Sequence, residues 1–148
     1  MIAQALIKLF TRDLTALQTE IESYANDSTL WLVTEDISNS AGNLCLHLVG
    51  NLNHFIGAAL GNSGYVRQRD LEFSLKDVPK AELIEQVEAT KNAVVSVLEQ
   101  LSEEDLQKEY IHRVFKEPMT TAYFLMHLST HLAYHLGQIN YHRRLLDR

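Results

Sequence analysis

His127, His131 and His135 recur at intervals of four residues near the end of the chain, and His142 follows seven residues later. Residues four apart on an α-helix share a face and lie about 6 Å apart along the axis. His131 and His135 can therefore turn both rings toward one point, and neutral imidazole is the commonest protein ligand of a metal ion. Leu125, Leu128, Leu132, Leu136 and Ile139 fall on one flank of this stripe, and Tyr123, Tyr134 and Tyr141 on the other. A fully solvated helix would carry Lys and Glu there. Two readings stay open at this point: a metal site, or partly buried histidines satisfied by hydrogen bonds.

A second stretch bears on the choice. Residues 40–60 are apolar nearly all round a helical wheel, with Leu44, Leu46, Leu48, Val49, Leu52, Phe55, Ile56 and Leu60 covering most of it. Such a helix belongs at the centre of a bundle. Its one polar stripe is Asn43, His47, Gly50, Asn51 and His54. Buried polar groups left unpaired cost about 1–3 kcal/mol each, so this stripe must face partners. The expected partner is the histidine stripe of the last helix.

His47 with His131 and His135 would make a facial set of nitrogen ligands with a position left open. Catalytic zinc sites have three protein ligands plus water, whereas structural ones are closed by four. Imidazole also suits nickel, iron and copper. His54 and His127 lie further along the same stripes and are candidates for alternative ligands, for hydrogen-bonding support of the ligands, or for proton transfer in catalysis. Asn51 and Gln138 are placed to steady a water or substrate. Cys45 points about 160° away from His47 and reads as core. A carboxylate-bridged di-iron bundle needs two Glu-x-x-His motifs. The one match, Glu109 to His112, sits at a helix end. There is no H-E-x-x-H motif, nucleophile elbow or glycine-rich phosphate loop.

Helices must position these residues. Ile2, Leu6, Leu9, Leu17, Ile21 and Tyr24 mark a first helix over residues 2 to about 25, closed by Asn26, Asp27 and Ser28. Trp31, Leu32 and Val33 are expected to pack as a short loop, and Ser38, Asn39 and Ser40 to cap the second helix. A long connection then runs over residues 61–79, with Tyr65, Arg67, Arg69, Asp70, Glu72 and Phe73. Its charges read mainly as surface, although long connections often belong to a site. Leu83, Val87, Val94, Leu98 and Leu101 define an amphipathic helix over residues 79–101. Ser102 and Asp105 form a capping-box pattern opening a short piece to about Glu109. Pro118 sits where the last helix can start. The expected architecture is all-α: one four-helix-bundle domain over residues 1–148, with a long crossover between helices 2 and 3.

Composition agrees. The chain has 148 residues, 46% hydrophobic, with 6 Gly and 2 Pro, and its net charge of -6 is mixed along the sequence. No basic stripe points to nucleic acid. One cysteine forms no internal disulfide, which makes a cytoplasmic setting the default. The N-terminus lacks the pattern of a signal peptide. Residues 41–61 are membrane-like in length but carry too many Asn and His for hydrocarbon, so no membrane is expected as partner.

Two stretches carry a family resemblance. The segment from Ser38 to Asn51, with His47 ahead of Gly50-Asn51, resembles the second-helix segment of the DinB/YfiT-like metal-binding four-helix bundles. The segment from His127 to Ile139 is similar to that family's last-helix signature, H-x-x-x-H-x-G-Q-[IL], met here as His131, His135, Gly137, Gln138 and Ile139. The run from Arg67 to Phe73 is similar to a connecting segment in one branch. The resemblance implies a divalent metal, most often nickel or zinc, held by His47, His131 and His135. It also implies thiol S-transfer from a low-molecular-weight thiol such as bacillithiol to an electrophile, and a homodimer. A non-catalytic metal-binding or stress-response module and a metal-dependent hydrolase are the alternatives.

Overall fold

The computed structural model describes residues 1–148, and its ordered elements are helical. In chain order they are α1 (Ile2–Glu22), α2 (Ala41–Gly61), α3 (Arg69–Ser74), α4 (Lys80–Gln100), α5 (Glu103–Gln107) and α6 (Thr121–Leu146). Every residue from Ala41 to Leu52 is buried, the polar stripe of Asn43, His47 and Asn51 included, as a helix apolar over most of its circumference requires. By length and composition α2 could cross a membrane, yet here it is mostly enclosed by its neighbours. Around the bundle α1 packs on α4 and α6, and α2 packs on the same two helices. This makes α1 and α2 a diagonal pair. Leu6, Phe10, Leu14, Leu17 and Ile21 of α1 meet Leu83, Val87, Val94 and Leu98 of α4 in the shared core. Cys45 is fully buried, and burial pushes its thiol up to about 12.

Side-chain caps set several starts. The Ser40 hydroxyl accepts the Asn43 N–H at α2, and the Thr120 hydroxyl accepts the Tyr123 N–H at α6. Ser102 and Asp105 complete the expected capping box at α5. The boundaries differ in places from the sequence reading. α1 stops at Glu22, and a 3-10 turn, Asp27–Trp31, takes the chain onward. Of the three residues expected to pack there, only Trp31 does so. Its ring lies over Gly42, where a Cβ would collide with it, while Leu32 and Val33 are exposed. α5 ends at Gln107, and an isolated antiparallel bridge between Glu109 and Thr120 leads into α6.

Within α2, Asn53–Ala58 widens into a π-helical turn. The Asn53 amide donates to the Val49 carbonyl (2.8 Å) and to the Thr90 hydroxyl (2.9 Å), tying this turn to α4.

The crossover is more ordered than an irregular connection. Its helix, α3, is too short to be stable alone, and its last carbonyls have no donors of their own. The buried Asn43 amide supplies them, donating to the carbonyls of Glu72 and Leu75, each at 2.9 Å. The Asn43 carbonyl accepts from the Ser40 hydroxyl (2.7 Å) and the Lys76 ammonium. Asn43 thus faces the crossover, not the histidines of α6. Asn43→Ala should cost about 1–3 kcal/mol in urea denaturation and speed amide exchange selectively in residues 69–76. Uniform exchange along the chain would contradict this anchoring.

Candidate metal centre

α2 and α6 pack side by side, and this contact brings His47 against His131 and His135. Ring centroids lie 5.1 Å apart for His47 and His131, 5.4 Å for His47 and His135, and 4.6 Å for His131 and His135. One ring nitrogen from each falls within 4.8 Å of the other two, so the three form a group able to hold a metal ion. The convergence expected from the two helical stripes is present.

The hydrogen bonds around the rings direct their lone pairs. His47 Nδ1–H donates to Glu72 Oε1 at 3.0 Å, which leaves Nε2 bare. His135 Nδ1–H donates to Gln138 Oε1 at 2.7 Å, again leaving Nε2 bare. Ligand histidines commonly have the second nitrogen fixed in this way by a carboxylate or amide oxygen. Nε2 of His47 and Nε2 of His131 approach to 3.3 Å. Metal–nitrogen bonds of about 2.0–2.1 Å in a tetrahedral array place adjacent nitrogens about 3.3–3.4 Å apart. Nδ1 of His131 is buried without a partner, so the protein alone does not satisfy this ring. The residues fit a divalent cation.

Burial keeps His131 and His47 neutral, as ligands must be. Burial lowers the His131 pKa to about 4, helped by the neighbouring His135, His47, His127 and Arg67. Burial also lowers His47, against the opposing pull of Glu72.

Glu72 is the residue that the sequence reading left on the surface. It is buried, and Arg67 grips its carboxylate with two bonds, Nε to Oε2 at 2.9 Å and Nη2 to Oε1 at 3.0 Å. The carboxylate also rests on the α2 backbone at Gly50, where a Cβ would occupy the same space. The signal was present in the stripe itself: a glycine one turn from His47 on a fully buried helix admits a neighbour that no other residue would.

The other candidates separate. His127 lines a cleft of about 280 Å³ beside the cluster, together with His47, Asn51, Arg67, Arg69 and His131. Its ring stacks toward His131 at 6.5 Å. Asn51 Oδ1 is buried there without a partner. His54 does not line this cleft; its ring stacks on His112 at 6.0 Å. Gln138 supports His135 and does not face the cleft. His142 is structural. It accepts from the Tyr24 hydroxyl at 2.8 Å and donates to the Leu32 carbonyl at 2.9 Å.

The family profile described as "Protein of unknown function (DUF1572)" matches residues 3–148. The chain belongs to the DUF1572 family. No curated protein matches it. Among solved structures, the chain is similar to YjoA, a DinB-like protein from Bacillus subtilis, with TM-score 0.71 and 18% identity over 97% of this chain and 93% of that one. It is also similar to a DinB-like protein from Bacillus cereus ATCC 10987, with TM-score 0.72 and 19% identity over 96% of this chain and 91% of that one. The expected all-α, DinB-like fold is therefore shown for this DUF1572 member.

The lowered His131 pKa has a pH consequence. Between its ordinary value of 6.5 and about 4 the unfolded chain binds a proton that the folded chain refuses. Stability therefore falls as pH drops through that window. In metal-free protein the Tm should decline from pH 6.5 toward 4, and His131→Asn should flatten the slope. Parallel slopes in both proteins would contradict the burial of a neutral ring.

Proposed function

We propose that this protein is a metal-dependent thiol S-transferase, with His47, His131 and His135 holding a divalent cation, nickel or zinc. The observation that carries the reading is the convergence of three imidazoles beside a cleft, with no fourth side chain closing the set. A divalent cation bound there lowers the pKa of a thiol presented to it. Glu72 and Gln138 hold two of the rings in orientation. Phe55, Phe124 and Leu128 wall the cleft and limit water beside the electrophile. His127, half-buried in the same wall, takes the thiol proton. The sulfur then bonds to the electrophilic carbon as the leaving group departs with its electron pair. The choice of a low-molecular-weight thiol such as bacillithiol over water rests on the motif resemblance, and His54, set apart with His112, has no part in this scheme.

Protein purified without an affinity tag should hold one nickel or zinc per chain by mass spectrometry. It should conjugate a thiol to 1-chloro-2,4-dinitrobenzene. His131→Ala should lose both the metal and the conjugation. Equal rates in the variant would overturn the transferase, and stoichiometric metal without conjugation or ester hydrolysis would leave a binding module.

A homodimer is part of the proposal, and the exposed face of α6 supports it. No Asp, Glu, Lys or Arg occurs between Glu117 and Arg143. Tyr123, Met126, Tyr134, Tyr141 and Leu145 are nonetheless exposed along one side. Tyrosine-rich, charge-poor faces are typical of interface cores. A second copy laid antiparallel would cover this face, with Gly137, whose Cβ position is open, permitting close approach. Light scattering should give twice the chain mass, and Tyr134→Glu should return it to one. A wild-type monomer at high concentration would refute the dimer.

A further inference from the structure

The cleft beside the histidines has a charge pattern that a cation does not account for. Two guanidinium groups, Arg67 and Arg69, line it, and no carboxylate does. Arg67 is committed to Glu72 through two hydrogen bonds. Arg69 makes no ion pair; its guanidinium lies over the Phe73 ring, 5.2 Å from the centroid, which holds it in place without neutralising it. In the same cleft Asn51 is more than nine-tenths buried, and its Oδ1 has no hydrogen-bond partner. Half-buried Phe55 and exposed Val114 supply apolar surface beside these polar points, backed by the buried Phe124 and Leu128.

We propose that this cleft binds a small organic acid, its carboxylate paired with Arg69 and its apolar body against Phe55 and Val114. The inference rests on the reading above, because the bound acid would be one of the two reactants brought to the histidine cluster. One free guanidinium matches one carboxylate, since its planar fork offers two parallel N–H donors. An ammonium-bearing ligand is disfavoured by the unpaired charge of Arg69. Asn51 adds selectivity: its orphan oxygen accepts an N–H or O–H from the ligand's body, and a ligand lacking one leaves that buried group unpaired. The cleft volume of about 280 Å³ suits a molecule of one ring with a short chain.

The test uses the metal-free full-length protein and two probes of one shape, 3-phenylpropionate and 3-phenylpropan-1-ol, titrated by NMR. The acid should bind at least tenfold tighter than the alcohol. Arg69→Gln should abolish that preference, and Arg69→Lys should keep part of it. Equal affinity for acid and alcohol, or a preference unchanged by Arg69→Gln, overturns the proposal. Binding of the acid that requires added zinc and ignores Arg69→Gln also overturns it, because the carboxylate would then be a metal ligand. Neither probe is a thiol or an electrophile, so failure of S-transfer with the acid preference intact removes the transferase reading and leaves the subsite. In active protein, 3-mercaptopropionate and 4-(chloromethyl)benzoate identify which reactant carries the acid. Arg69→Gln should raise KM for that one and leave its uncharged counterpart unchanged. No rise for either overturns the proposal.

Discussion

Two imidazole nitrogens facing each other at 3.3 Å inside a protein are the constraint on which the rest depends. Glu72 accepts a hydrogen bond from Nδ1–H of His47, so the inward nitrogen of that ring carries a lone pair. His131 then has two choices, and both leave a buried nitrogen unsatisfied. If its Nε2 carries the proton and donates to His47, Nδ1 is a buried acceptor with no donor. If Nδ1 carries the proton, Nδ1 is an orphan donor and two lone pairs oppose each other. A cation among these rings would turn that repulsion into attractive contacts, while Nδ1 of His131 would stay unpaired. A four-helix bundle could hide apolar residues at these positions at lower cost, so the polar cluster is best understood as a group able to hold a cation.

The neighbouring structure is built outward from that cluster. His47 is oriented by Glu72, and Glu72 by Arg67 and by the space that Gly50 leaves open. Glu72 sits on a six-residue helix that is held down by Asn43. One turn of α2 thus supplies His47, the turn before it the anchor of the crossover at Asn43, and the glycine that follows the contact surface for Glu72. The long connection between the second and third long helices is therefore part of the site and not merely a link across the end of the bundle. Its arginines have different duties, Arg67 within the hydrogen-bonded array and Arg69 at the cleft.

Much of this was legible in the sequence, and the exceptions have physical reasons. The four-residue spacing of His131 and His135 and the polar stripe through His47 follow directly from helical geometry, and both helices keep that geometry across the site. Gly50 signalled a close neighbour, but that Glu72 is that neighbour was not legible. Its burial depends on the docking of a charged segment too short to show a period, and an isolated Glu reads as solvated. His54 continues the stripe by spacing, but it lies two turns beyond His47, about 10 Å along the axis, where α2 has widened into a π-helical turn. His142 continues the other stripe and is instead claimed by Tyr24 and Leu32, contacts that span the chain and leave no local trace. Gln138 was read as facing a substrate, whereas its position three residues after His135 makes it that ring's own support.

X-ray absorption at the metal edge of protein loaded with nickel or zinc reads the donor set of the site itself. The expected first shell has three imidazole nitrogens at about 2.0–2.1 Å, with the outer-shell scattering that imidazole rings produce, and one further light atom or sulfur. Loss of one imidazole from that shell in His47→Ala would show that both helices contribute. A shell of oxygen alone, or one identical in His47→Ala, would mean that α2 and α6 do not share a cation.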